Sequence, residues 1–359
     1  MKILIIKLSA IGDVVQTLPA LEAIKKTYPD GVITWVVEEA ASGILDGHPL
    51  IDRLLVSRRK TWLRKLRNPL SFAQGFSGIA GFIRELRSTR YDIAVDFQGL
   101  FKSGVLIGLA RAARKIGFDR TREFSYLFLN ERLPAYDIEK QALERYLDVA
   151  RHLGAKDVSP RCTLPIDRER MAVVKRVGQI RTAGRPLIVI NPVARWKTKL
   201  WEERNFADLA DRLVSEKKAV IIFTGSPDDR PVNDRILSLM REPAHNWAGE
   251  TTLKELAALA AASDIFITTD TGPMHLAAAA GARVLALFGP TAPWRTGPHG
   301  PSHLIVRAGT ECSPCFQRKC DKDVKCMAGI TVEDVMRQLN EGFQGPHVKQ
   351  FSNSKRDRP

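Results

Sequence analysis

No stretch of this sequence is apolar for anything near the roughly 20 residues that a bilayer-spanning helix needs. The apolar run Val284 to Phe288 has the length of a strand. The opening residues, MKILIIKLSA, are broken by Lys7 and offer neither the apolar core nor the cleavage site of a secretory signal. The expected location is therefore the cytoplasm. Acidic residues are in deficit, 40 Asp and Glu against 55 Lys and Arg, which leaves a net charge of +15. That excess selects anionic partners: nucleic acid, an acidic membrane surface or phosphorylated substrates. Nucleic acid has charge alone in its favour, because zinc-finger spacing, an aromatic RNA-binding signature and a helix-turn-helix pattern are missing, so none is expected as a partner. Cysteine is scarce, and four of the five residues cluster as Cys312, Cys315, Cys320 and Cys326. A reducing compartment argues against disulfides. The opening CxxC is ligand-like but the later spacings fit no common zinc ribbon, so buried or free thiols stand as the first reading, a structural zinc as the second and redox chemistry as the last. Cys162, alone, reads as packing.

What is present is alternating strand and helix pattern, best seen in Asp264 to Pro290, DIFITTDTGPMHLAAAAGARVLALFGP. Ile265 to Thr268 is a β-branched apolar run, and Pro273 suits the first turn of a helix starting near Thr271 or Gly272. The first amides of such a helix have no partners within it, and Gly272 lets a ligand approach the backbone, so a diphosphate can sit there. Asp270 would repel that phosphate. It reads instead as a carboxylate that ties the loop or takes a sugar hydroxyl. An ordinary capped helix in an α/β sheet accounts for the same stretch.

The same unit recurs along the chain. Lys2 to Leu8 is a β-type run, and SAIGDVVQ turns into a helix whose apolar positions include Val14, Val15, Leu18, Leu21 and Ile24. Pro19 predicts a kink there or a new helix. VITWVVEE and Ile51 to Val56 read as strands, and YDIAVDFQGLFKSG as strand and turn with Asp96, Gln98 and Lys102 at the ligand end. Between them Arg58, Arg59, Lys60, Arg64, Lys65 and Arg67 fall within ten residues without one acid. That block reads as a solvated face or, with Phe72, Phe76, Ile79, Phe82 and Ile83 after it, as an amphipathic surface against anionic lipid. Ile116 to Phe118 is a further strand, followed by a polar and aromatic loop carrying Arg120 and Arg122. After a Pro-punctuated weak stretch, PLIVINP, KAVIIFTGS and the Asp264 unit begin a second alternating run. Its strand-end loops carry Arg195, Lys197 and Lys199, then Asp228 and Asp229. With 359 residues the chain has room for two cores. The expected organisation is α/β: two doubly wound domains, 1–165 and 186–340, facing a central cleft, joined by a linker at 166–185 and followed by a polar, partly disordered tail at 341–359.

KLSAIGDVVQTLPAL, WVVEE, DFQGLFKSG, GFDRTREFSYLF and TDTGPMHLAAA together resemble the ADP-heptose:lipopolysaccharide heptosyltransferases of glycosyltransferase family 9, over nearly the whole chain. The first half looks most like heptosyltransferase I, whereas CSPCFQRKC and ARWKTKLW look more like the heptosyltransferase II branch. The resemblance implies a GT-B fold of two Rossmann-like domains, an N-terminal acceptor domain and a C-terminal ADP-sugar domain. It also implies inverting transfer of heptose from ADP-heptose to a Kdo-lipid A type acceptor, at the inner face of the inner membrane. Asp13 then stands as the general base, although an aspartate so placed can equally cap its helix. Lys199 stands as the phosphate-binding cation, assisted by Arg195, with Asp229, Asp270, Thr271, Gly272 and His275 as further donor contacts. Arg58, Arg59, Lys102, Arg120 and Arg122 are expected to meet the anionic acceptor. No DxD-type pair precedes a loop suited to magnesium, in keeping with the metal-independent class that the resemblance implies; no catalytic metal and no cofactor are expected. The alternatives are the second heptosyltransferase and, from another class, a non-catalytic nucleotide- or RNA-binding module.

Overall fold

The structure is a computed structural model that describes residues 1–182 and 184–343. Twelve strands are formed by the described residues: β1 Lys2–Ile6, β2 Val32–Glu38, β3 Arg53–Ser57, β4 Arg90–Asp96, β5 Arg111–Phe118, β6 Glu131–Leu133, β7 Leu187–Asn191, β8 Val220–Phe223, β9 His245–Asn246, β10 Ile265–Thr269, β11 Val284–Leu287 and β12 Leu304–Val306. They make two six-stranded sheets in the orders β3-β2-β1-β4-β5-β6 and β12-β11-β10-β7-β8-β9, every pair parallel. Read from the first strand of each sheet, both follow the same winding: two strands are added on one side, then the chain crosses over and adds three on the other. Crossovers in a parallel sheet need helices on both faces, which explains why the central strands are apolar throughout rather than alternating. Ile3, Leu4, Ile5 and Ile6 are all fully buried, as are Leu187 to Ile190.

The reversal of winding falls between β1 and β4 in the first sheet and between β7 and β10 in the second. At such a point the loops leave the carboxyl ends of neighbouring strands in opposite directions, and the crevice between them takes ligands in open α/β sheets. The contacts divide the chain into two compact units. One comprises Met1–Glu169 with Thr252–Ala258 and Trp294–His299. The other comprises Arg170–Thr251, Leu259–Pro293 and the described residues from Gly300 onward.

The helix Ile11–Thr27 continues through Pro19, so no new helix starts there, against one of the two expectations at that residue. An interior proline costs about 3 kcal/mol of helix stability. Here the buried face of Val14, Val15, Leu18, Leu21 and Ile24 offsets that cost. β5 starts five residues earlier than its apolar part, at Arg111, and β6 is a strand that no hydrophobic pattern announces. The helix Val332–Phe343 carries regular structure into the stretch expected as tail. The rest of that expectation, 344–359, lies outside the described residues. Among the described residues no helix is long and apolar enough to cross a membrane.

Candidate active site

In the first unit the loop after β1 is built by the loop after β4. Gln98 Oε1 accepts the backbone N–H groups of Leu8 at 3.1 Å and Ser9 at 2.9 Å. Gln98 is itself held by Asp96, whose Oδ1 accepts from the amides of Gln98 and Gly99 and whose Oδ2 accepts from Ser103 Oγ at 3.0 Å. Burial pushes the Asp96 carboxyl above its ordinary value, while these donors and Lys7 oppose the shift. Asp96 is thus a positioning residue of the turn. Gly99 has φ +66°, and a side chain there would press on Thr121 of the loop after β5. That loop is tied to the same turn by Phe101, whose N–H donates to Glu123 Oε2 at 3.0 Å.

Asp13 sits in the first turn of the helix Ile11–Thr27, half-buried. Its Oδ2 accepts from the Ala10 N–H at 3.1 Å, which is the capping contact, and its Oδ1 accepts from Tyr146 Oη at 3.2 Å. Tyr146 Oη in turn accepts from Lys7 Nζ at 2.7 Å, and Lys7 donates also to the Phe97 carbonyl at 3.1 Å. Burial raises the Tyr146 phenol well above its usual range, and the Asp13 charge raises it further, so the hydroxyl stays a donor. Burial lowers Lys7, with Asp13 and Asp96 pulling the other way. The result is a proton-ordered chain, Lys7 to Tyr146 to Asp13, in which the last carboxylate keeps lone pairs for a substrate hydroxyl. Neither Tyr146 nor Lys7 is among the residues that sequence reasoning singled out. The available signal was Lys7 breaking the apolar run that opens the chain.

Of the five cations expected at the acceptor, three gather at the end of β2. Lys102 Nζ lies 2.7 Å from Glu38 Oε1 and 3.0 Å from Ser9 Oγ. Arg59 lies 3.6 Å from Glu38, and Arg58 3.3 Å from Glu39. Arg120 and Arg122 are on the loop after β5, exposed, with Arg120 at φ +50° and 3.9 Å from Asp119.

In the second unit the corresponding loops follow β7 and β10. Lys199 Nζ donates to Asp270 Oδ2 at 2.7 Å and to the Asp270 carbonyl at 3.1 Å, and it lies 4.6 Å from the Trp196 ring centroid. Both side chains are largely buried, 15% and 6% exposed, which makes this an enclosed ion pair and not a solvated lysine. The loop is anchored by Thr198 Oγ1 on the Gln317 carbonyl and Trp201 Nε1 on the Ile330 carbonyl, both at 2.8 Å. Arg195 and Lys197, by contrast, are exposed. Pairing also removes the objection that Asp270 would repel a phosphate, because the two charges offset each other. Two of the three ammonium donors are occupied by Asp270, which leaves one for a ligand.

Thr271 caps the helix Gly272–Ala279 with extended backbone, Pro273 lies in its first turn, and His275 is half-buried on it. Asp229 accepts from the Ser226 N–H at 2.7 Å and from Ser226 Oγ at 2.6 Å, both through Oδ2, so that oxygen closes its own turn. Buried side-chain atoms without a hydrogen-bond partner among the described residues include Asn191 Oδ1, Thr224 Oγ1, Thr269 Oγ1 and Thr291 Oγ1. These lie at or just beyond the carboxyl ends of β7, β8, β10 and β11. Unpaired buried polar atoms cost about 1–3 kcal/mol each, and these few lie near the strand ends where a polar ligand is taken in open α/β sheets.

The cysteine segment belongs to this unit as well. Cys312, Cys315 and Cys320 are exposed and Cys326 is buried, all as free thiols. Among the described residues no three of His, Cys, Asp or Glu converge as a metal site. Cys162 is half-buried, and desolvation pushes its thiol up to about 12, as for a packing residue.

The family profile described as Glycosyltransferase family 9 (heptosyltransferase) matches residues 79–325. The lipopolysaccharide heptosyltransferase 1 of Pseudomonas aeruginosa is 30% identical over 329 residues, covering 89% of this chain and 87% of that protein. The lipopolysaccharide heptosyltransferase 2 of Salmonella typhimurium is 27% identical, covering 86% of this chain and 88% of that one. Among solved structures, Escherichia coli heptosyltransferase WaaC with ADP superimposes with a TM-score of 0.74 at 24% identity, over 95% of this chain and all of that one (100%). This likeness shows the GT-B fold.

Proposed function

Because the chain belongs to glycosyltransferase family 9, the heptosyltransferases, we propose that it moves L-glycero-D-manno-heptose from ADP-heptose to the Kdo of the lipopolysaccharide inner core, with inversion. The observation that carries catalysis, as opposed to binding alone, is the Asp13 carboxylate at the end of the first strand's loop, oriented by Tyr146 Oη at 3.2 Å and the Ala10 N–H at 3.1 Å. Both contacts donate to the carboxylate and so fix its orientation, leaving its remaining lone pairs for the hydroxyl proton that a general base takes.

In the proposed reaction the acceptor hydroxyl oxygen forms its bond to the anomeric carbon as its proton passes to Asp13. The bond from that carbon to the phosphate oxygen breaks, and its electron pair leaves on ADP. The free donor of Lys199 and the first amides of the helix Gly272–Ala279 meet the charge that develops on the diphosphate. Lys102, Arg58 and Arg59, with Arg120 and Arg122, supply the cations for a Kdo carboxylate and neighbouring phosphates. Their concentration on the first unit, together with the 30% identity to a heptosyltransferase 1, supports the Kdo acceptor. A second reading, addition of the second heptose, draws on the 27% identity to a heptosyltransferase 2 and on the cysteine segment.

ADP release from ADP-heptose, measured in EDTA with Kdo-lipid A and with its mono-heptosylated form, separates the readings. Turnover with Kdo-lipid A is expected, reduced about a hundred- to ten-thousandfold in Asp13→Asn. Turnover with the heptosylated acceptor alone would move the assignment to the second transfer. No release with either would overturn transfer altogether.

A further inference from the structure

Between Arg53 and Arg84 the chain carries Arg53, Arg58, Arg59, Lys60, Arg64, Lys65, Arg67 and Arg84 and no acid. The helix Arg59–Leu66 within this stretch has no buried residue. It packs against the helix Phe72–Arg87 through two glycines. A Cβ on Gly75 would come within 2.9 Å of the Trp62 carbonyl, and one on Gly78 within 2.5 Å of Trp62 Nε1. Lys65 Nζ bonds Gln74 Oε1, and Ser71 Oγ bonds the Lys65 carbonyl, both at 3.0 Å, which fixes the turn between the helices. The second helix buries Phe82 and Leu86 inward. The first turns of that helix and the turn before it carry exposed apolar side chains. Leu70 is 94% exposed, Phe72 54% and Phe76 64%. Phe72 and Phe76 are one turn apart and share a face.

Three large apolar side chains displayed on a pinned turn, bordered by cations with no intervening acid, form an amphipathic cationic surface. A bilayer with anionic headgroups matches both parts, the side chains entering the acyl boundary while the cations meet the phosphates. We propose that Leu70, Phe72 and Phe76 form a membrane-docking tip and that Lys60, Arg64, Lys65 and Arg67 draw it to anionic lipid. This surface belongs to the first unit, and its test involves no turnover, so it stands or falls separately from the transfer reaction.

The test is flotation of the full chain with vesicles of phosphatidylglycerol and phosphatidylcholine, or of phosphatidylcholine alone, without donor or acceptor. Binding is expected to the anionic vesicles and at least tenfold weaker to the neutral ones, and to fall in high salt. Leu70→Ser/Phe72→Ser/Phe76→Ser is expected to weaken binding at least tenfold, with its melting temperature unchanged because the replaced side chains are exposed. Each of Lys60→Gln, Arg64→Gln and Arg67→Gln is expected to weaken it about fivefold. A gain-of-signal check is Leu70→Trp, whose fluorescence should shift to the blue on anionic vesicles. Absence of flotation on anionic vesicles, unchanged flotation of the apolar triple variant, or wild-type self-association that the triple variant abolishes would each overturn the proposal. The last would assign the face to a second copy of the chain.

Discussion

At the scale of single residues, the Lys199–Asp270 pair carries the sharpest energetic consequence. Two charges this enclosed are stable only as partners, so removing one leaves the other desolvated and uncompensated. Lys199→Ala is expected to cost about 3 kcal/mol of unfolding free energy. Adding Asp270→Ala to it should recover part of that loss, which a double-mutant cycle by urea denaturation measures. Additive losses would show that the two do not interact as the 2.7 Å contact indicates. Asp13, Lys199 and Asp270 were legible in the sequence because each stands at a turn following a recognisable strand, and Asp270 was read as a possible loop tie. Their partners were not legible. Tyr146 lies on a helix where it counts as one more apolar residue at helical spacing, and nothing in periodicity tells that its hydroxyl turns to Asp13. Lys7 likewise registered only as an interruption, because an isolated buried cation gives no sign of the oxygen that receives it.

The elements themselves show the same division between pattern and context. β1, β2, β4, β7, β8, β10 and β11 announce themselves as short apolar runs, since both of their faces are covered. β6 does not, having three residues, Glu131 to Leu133, at the sheet's edge. Polar contacts hold it: Arg114 grips the Glu131 carboxylate through two bonds of 2.8 Å, and His152 Nε2 lies 2.6 Å away. These partners hold the Glu131 carboxyl down at about 2, from an ordinary 4.5, with the Arg114 hydrogen bond the largest cause. The folded state thus binds fewer protons than the unfolded one between those values. The stabilisation is complete above 4.5 and is lost as pH falls toward 2. Glu131→Gln should accordingly flatten the acid limb of a melting-temperature profile and leave its slope near neutrality unchanged. An equally steep acid limb in the variant would remove Glu131 from the explanation. The proline in the first helix teaches the converse lesson: the local rule was read correctly, and tertiary burial overrode it.

For the molecule as a whole, the repeated winding explains why candidate residues that are distant in sequence fall into two groups, each in one unit. The residues proposed for the donor, Arg195, Lys199, Asp229, Asp270, Thr271, Gly272 and His275, all belong to the second. ADP should therefore slow amide hydrogen exchange near Lys197–Lys199 and at the start of Gly272–Ala279, with no change in β1. At a hundred times its dissociation constant it should add about 2.7 kcal/mol of stability. Lys199→Ala should lose both effects, and protection appearing instead around Ser9 to Asp13 would place the nucleotide in the other unit. The fold class was legible because alternation of strand and helix is a property of long stretches. What each unit binds was legible only through resemblance, since the same winding serves many chemistries.

The braces that shape the two half-sites have a consequence for how the chain acquires activity. Gln98 reaches back 89 and 90 residues to Ser9 and Leu8, and Lys199 and Asp270 are 71 apart. Each contact closes a long loop, and the entropy of that closure is repaid only once the intervening strands are in register. A partly folded chain can hold every helix of one unit and still have no organised base or phosphate site. Catalysis therefore reports completion of the sheets: in a refolding chain, helical signal comes first and competence to bind and turn over comes last.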